Sequence, residues 1–319
     1  MKRNAIWLLA LCTALMMTAC GRDNGKDPGS KSQSGAATEY PVSIGESVRL
    51  AEKPAKVVSL SPTATELIFT LGYQDQLVGV SDFCDRPEEA ANLTRCGTAQ
   101  GINFEALEGI KPQLLVTTAS LIESELVRLQ QMDVEVLTLP RASDFKELKN
   151  NYVDLARAMN GDITGREQGE ELYDSFEGFL TEMENRGKAS IQAGTPKQTV
   201  IMLRIADYIM ATGDTFEQKL LERLMLENLA APYGDWVFPK DKAAELAPDY
   251  IISDSAITIP VLEKNALYKK TQAVLKDKVV TVDFSAFERQ TPRMKDELIK
   301  IMDMIYPAAQ GASGSQSES

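Results

Sequence analysis

The sequence contains no histidine among its 319 residues. That absence excludes Ser-His-Asp and Cys-His nucleophilic systems, an HExxH zinc helix and any His-rich metal site. Neither GxxxxGK[ST] nor GxGxxG occurs, so the glycine-rich cradles for phosphates and dinucleotides are missing as well. No paired-acid motif stands out, and the expectation is that the chain is not an enzyme. Basic charge is in short supply: 34 Lys and Arg stand against 46 Asp and Glu, a net charge of −12. That balance argues against nucleic acid as a partner. Long apolar runs are scarce too. Ile6 to Met17 is an apolar run of about a dozen residues, whereas a helix needs ~20 to span a bilayer.

That run fits a signal peptide. Lys2 and Arg3 give a positive start, and Met17-Thr18-Ala19-Cys20 closes it. The closing four residues resemble a bacterial lipobox, with Met17 where Leu is usual. The expectation is a signal peptide over residues 1–20, with Cys20 lipidated and the exported protein anchored to the bacterial membrane, at the periplasm or cell surface. An ordinary cleaved signal with an incidental cysteine is the alternative. Residues 21–40 are mostly Gly, Ser, Asp, Lys and Gln and read as a flexible tether, and residues 309–319 read as a disordered tail. Two further cysteines, Cys84 and Cys96, are twelve positions apart. In an oxidising compartment they either close a small loop by a disulfide or stand as separate thiols.

A body of roughly 270 residues favours two lobes over one. Lys56–Leu60, Leu77–Val80, Leu114–Thr117 and Val134–Leu137 are short, mostly apolar strands, separated by helical stretches. Ser61, Pro62 and Glu66 mark a helix start, with Glu66 three after Thr63 as a capping box. Strands alternating with helices indicate a parallel sheet. The alternation pauses for one helix over 145–159 and a longer one over 164–186, whose Leu172, Phe176, Phe179, Leu180 and Met183 share a face. It resumes with strands at Thr199–Leu203, Tyr250–Ile252 and Val279–Val282, a helix at Glu217–Glu227 and a last helix at Arg293–Tyr306. The expected fold is α/β: two Rossmann-like lobes with mainly parallel sheets, over 41–145 and 191–308, joined by rigid helices over 146–190. Ligands of such sheets sit beyond the carboxyl ends of the strands, here in the cleft between lobes.

Five segments carry a resemblance: VVSLSPTATELIFTLG (57–72), GVSDFCDRPEEA (79–90), NFEALEGIKPQLLV (103–116), ATGDTFEQKLLERLMLENL (211–229) and DFSAFERQTPRM (283–294). In this order they resemble the binding proteins of ABC importers for vitamin B12, siderophores and heme, most closely the cobalamin branch. The resemblance implies a monomeric receptor with no cofactor of its own. Its ligand would be a cobalt corrinoid or an iron chelate, and its partner a membrane permease.

The resemblance also assigns residues. Trp236, twelve before Pro248, matches a ligand-stacking tryptophan, with a core aromatic as the alternative. Phe83 matches an aromatic contact, with ordinary loop packing as the alternative, and Arg289 a contact arginine whose alternative is a helix-capping or salt-bridge role. Phe287 joins the ligand group, and Asp207 and Tyr208 fall at the second lobe's rim. Ala99 and Thr118 stand where cobalamin binders commonly carry Trp, and Ser285 where they carry Asp. Glu105 keeps the first-lobe acid that docks to the permease. The corresponding second-lobe position holds Lys242, leaving Asp241 or Glu245 as substitutes.

Overall fold

The computed structural model describes residues 38–308 apart from Ser47 and Tyr208. The expected signal peptide, the lipidation site Cys20, most of the tether, the tail and the rim residue Tyr208 therefore lie outside the described residues.

Among the described residues a short antiparallel hairpin, β1 (Val42–Ile44) and β2 (Val48–Leu50), comes first. The first sheet is built from β3 (Val57–Ser59), β4 (Leu77–Val80), β5 (Thr94–Arg95), β8 (Leu114–Thr117) and β9 (Glu135–Thr138), with a small separate hairpin of β6 (Gly97–Thr98) and β7 (Gly101–Ile102) between β5 and β8. Its order is β5-β4-β3-β8-β9, all neighbours parallel. The helices that cover it are α1 (Pro62–Thr70), α2 (Phe104–Ile110) and α3 (Glu123–Gln131). Every residue of β3 and β8 is buried, which is why these segments read as continuous apolar runs rather than alternating ones. The two faces of the sheet fill different clusters. Val57, Leu114 and Val116 enter the main core, whereas Val58 and Leu115 enter a smaller one with Leu107 and Leu129.

Two long helices follow, α4 (Phe145–Asn160) and α5 (Thr164–Gln192). Asp144 caps α4 by accepting from the Glu147 amide at 2.8 Å, and the Glu147 carboxylate accepts from the amide of Ser143, one residue before the cap. The helices approach closely because α5 offers glycine at the contact. A Cβ on Gly169 would stand 2.5 Å from Val153 Cα, and one on Gly165 2.3 Å from the Ala156 carbonyl oxygen. Phe176, Leu180 and Met183 are buried on the core face of α5, with Leu172 and Phe179 half-buried beside them. The N-terminal end of α5 is capped from a distance: the Glu39 carboxylate accepts from the Ile163 and Thr164 amides. The tether expected to run to residue 40 thus gives way to anchored chain at Glu39.

The second sheet, ordered β11-β10-β12-β13, is again parallel. It consists of β10 (Thr199–Leu203), β11 (Glu227–Asn228), β12 (Tyr250–Asp254) and β13 (Val279–Val282). Its helices are α6 (Phe216–Arg223), α7 (Ile259–Leu262), α8 (Gln272–Leu275), α9 (Phe284–Arg289) and α10 (Met294–Ile305). The helix expected over 217–227 stops four residues earlier, at Arg223, because Glu227 and Asn228 are taken into the sheet beside Thr199 and Val200. The fold is mixed α/β with mainly parallel sheets in two lobes, as the sequence indicates. Arg186 of α5 ties the last helix back by donating to the Tyr306 and Met302 carbonyls.

Candidate functional site

The two lobes meet across loops that leave the carboxyl ends of their strands. Glu66 on α1 is 7% exposed, and its carboxylate accepts from three second-lobe groups: Arg289 Nη1 at 2.5 Å, Thr291 Oγ1 at 3.0 Å and Arg293 Nε at 3.4 Å. The helix start expected around Ser61 is real, but Ser61 alone caps it. Glu66 has turned away from the cap to bridge the lobes. Arg289 reaches back to Asp85 at 2.7 Å, and Arg293 reaches Asp283 at 2.6 Å. Burial works against the Arg289 charge, but the hydrogen bonds and negative charge of Glu66 and Asp85 outweigh it and raise its pKa.

A second bridge runs from Arg141, just beyond β9, to Glu217 in the first turn of α6. Glu217 is wholly buried, and its Oε2 is a buried oxygen without a hydrogen-bond partner. Burial pushes its carboxyl pKa up, against the opposing pull of the Arg141 charge. Between these bridges lie two adjoining cavities that share Arg141 and Glu288. One, of about 150 Å³, includes Thr63, Thr118, Tyr152 and Arg289; the other, of about 310 Å³, is lined by Trp236, Arg204, Arg141 and Glu288. A further cavity of about 640 Å³ lies on the flank, between Phe69 and Glu66 of α1 and Asp85, Arg86, Thr291 and Arg293.

Trp236 is half-buried at the mouth of its cavity. Its ring meets Phe284 edge-on at 6.0 Å and stands 5.8 Å from the Arg141 guanidinium. Its backbone is left-handed, with φ +64°, and its amide donates to Thr212 Oγ1 at 3.0 Å. One edge of the indole therefore belongs to the core while the rest faces the cleft.

The other expected residues divide. Phe83 is 67% exposed on the loop after β4, and Thr118 lines the smaller cavity while donating to Ser61 Oγ. Ala99 is half-buried against the small first-lobe core. Asp207 is exposed, and its carbonyl accepts from the buried Tyr268 hydroxyl. Arg289 lines a cavity but is held in the bridge to Glu66 and Asp85, its salt-bridge alternative. Phe287 is a correction. It is fully buried in the main core against Phe284, because α9 turns that side inward, so it has no surface for a ligand. Of the two alternatives for the cysteine pair, the structure has the separate thiols and not the disulfide. Cys84 and Cys96 are free thiols, buried in different clusters on opposite sides of the first sheet. Burial raises both pKa values, that of Cys96 to about 11. Among the described residues no group of three Cys, Asp or Glu side chains could hold a metal ion.

Arg141, Glu217 and the bridging role of Glu66 were not legible in the sequence. Arg141 had one usable signal, its place directly after Pro140 at the carboxyl end of a strand, where α/β sheets put their ligands. Glu66 and Glu217 had none, because nothing in a helical pattern shows which acid will be buried against another lobe.

The comparisons with known proteins agree with this geometry. Residues 57–286 match the family model described as periplasmic binding protein. The chain is 28% identical over 317 residues to the uncharacterized ABC transporter substrate-binding lipoprotein YvrC of Bacillus subtilis, covering 96% of this chain and 98% of that one. It is 25% identical over 248 residues to the vitamin B12-binding protein of Pectobacterium atrosepticum, covering 76% and 85%. Among solved structures it is similar to that of a possible iron-binding (periplasmic solute-binding) protein from Staphylococcus epidermidis, with TM-score 0.65, 25% identity and coverage of 80% and 100%. With two parallel-sheet lobes, a cleft at their strand ends and a family match over most of its length, the chain belongs to the periplasmic binding protein family, and is the non-enzymatic substrate-binding component of an ABC transporter.

Proposed function

We propose that the protein captures cobalamin or a related corrinoid in the cleft between its lobes and hands it to a membrane permease. The observation that carries this reading is the half-buried indole of Trp236 at the mouth of a cavity between the lobes, a flat apolar surface suited to a planar macrocycle. The vitamin B12-binding protein of Pectobacterium atrosepticum, similar over three quarters of this chain, supports the ligand class. Exposed Phe83 supplies a second aromatic on the facing lobe. A second reading, a ferric siderophore or heme, is favoured by one observation: Arg141 and Arg204 both line the cavity of Trp236, and guanidinium groups suit anionic chelates.

Exposed Glu105 on α2 and exposed Asp241 on the second lobe are the proposed docking acids. Glu245 is exposed as well, but pairs with Lys242 at 3.5 Å, which leaves Asp241 the freer of the two for a permease arginine. The proposed anchor is a lipid on Cys20, and the working unit a monomer.

The test is calorimetric titration of the protein, purified in detergent, with cobalamin and heme. Trp236→Ala should weaken the bound macrocycle by roughly 1–3 kcal/mol, about five- to a hundredfold. Because the ring also packs on Phe284, a modest loss of apo stability accompanies it. Unchanged affinity with a large stability loss would make Trp236 a core residue and remove the basis of the reading.

A further inference from the structure

The cavity of Trp236 offers more than a stacking surface. Two guanidinium groups line it, Arg141 from the first lobe and Arg204 from the loop after β10, with the single carboxylate of Glu288 among its lining residues. Arg141 is not free to swing. Its head is gripped by Glu217 of the opposite lobe, wholly buried, and its own side chain is 39% exposed toward the cleft. Arg204 is gripped differently: its partner Glu288 is on the surface, with both side chains about half exposed. An exposed pair of that kind contributes little to stability, so its partner is readily exchanged. Glu217 sits buried behind Arg141 and is not among the residues that line the cavity. The cavity is left with more positive than negative charge facing any guest.

We propose that Arg141 and Arg204 form a subsite for an anionic oxygen group, phosphate or carboxylate, at the edge of the ligand that lies on Trp236, and that Glu288 is the resident carboxylate which this group displaces from Arg204. The proposal rests on the reading that a flat ligand lies on Trp236. Guanidinium forks pair two-pronged with both phosphate and carboxylate oxygens. Holding Arg141 in place beforehand lowers the ordering cost of binding. Glu288 keeps the cavity neutral enough for apolar stacking until a better-placed anion arrives. Specificity follows: a macrocycle without an anionic edge leaves Arg204 on Glu288 and gains only the ring contact.

Two matched pairs of probes separate the sources of the anion: cobalamin, with its phosphodiester, against cobinamide, which lacks it, and heme against its dimethyl ester. Calorimetry on wild type, Arg204→Gln and Glu288→Gln reads the result. Arg204→Gln should weaken cobalamin or heme by about tenfold or more, the weight of a charge-assisted hydrogen bond. It should leave the member of the same pair that lacks the anionic group within about twofold, and Glu288→Gln should tighten only the member that carries it. Equal losses for the probes with and without the anionic group, or no loss for either, would overturn the subsite. If none of the four macrocycles binds wild type, the corrinoid and heme readings fail, and inorganic phosphate alone decides the subsite. Broadening of its phosphorus NMR line by wild type but not by Arg204→Gln supports it, and no broadening by wild type overturns it.

Discussion

Replacing Glu66 by Gln removes one negative charge from a place that water barely reaches, and the structure fixes what that should cost. The carboxylate is 7% exposed and accepts from Arg289, Thr291 and Arg293. Breaking a buried ion pair from one side typically costs ~3–5 kcal/mol, because the remaining charge is left uncompensated. Here both arginines keep another carboxylate, Asp85 at 2.7 Å and Asp283 at 2.6 Å, and Gln still offers one acceptor oxygen. The expected loss is therefore lower, about 2–3 kcal/mol, or about 5–10 °C in Tm for a body of this size. Urea unfolding followed by far-UV circular dichroism measures it. Glu108→Gln is the control, since its pair with Arg128 is exposed on both sides and should be worth under ~1 kcal/mol. A Glu66→Gln loss no larger than the control's would refute the claim that this carboxylate holds the lobes together.

Three further outcomes are expected. Cys84 and Cys96 should both react with a thiol reagent in urea without prior reduction, and only slowly in the folded protein; a failure to label in urea until a reductant is added would restore the disulfide. Gly169→Ala should destabilise by ~1–3 kcal/mol through the clash with Val153, whereas Gly178→Ala, with open space around it on the exposed side of α5, should stabilise by ~1 kcal/mol. For Glu217 the folded pKa lies above its unfolded value near 4.5, so the folded state holds the proton more tightly. Its contribution is fully present below about pH 4.5 and declines as pH rises through the folded pKa. Urea midpoints measured across that window should shift in favour of Glu217→Gln as pH increases, and a shift the other way would place the charged form as the preferred one.

The sequence by itself determined the architecture. Buried parallel strands leave continuous β-branched runs, so Leu77–Val80, Leu114–Thr117, Thr199–Leu203 and Val279–Val282 were readable to the residue. The long pause between the two alternating halves marked α4 and α5 for the same local reason: a helix face repeats every three to four residues. The edge pieces were not readable, since β1, β2, β5 and β11 are two or three residues long and exist only because a neighbour pairs with them. Side-chain direction was decided by the tertiary structure alone. Trp236 and Phe287 are both expected at the ligand from the sequence, yet packing leaves one at the cleft and seals the other in the core. Cys84 and Cys96 are close in the chain but separated by a sheet. Glu66 had the spacing of a helix cap and became a bridge between lobes, because its three donors come from residues more than two hundred positions away. Local pattern sets which elements form; which charges meet depends on how distant elements close over one another, and no periodicity records that.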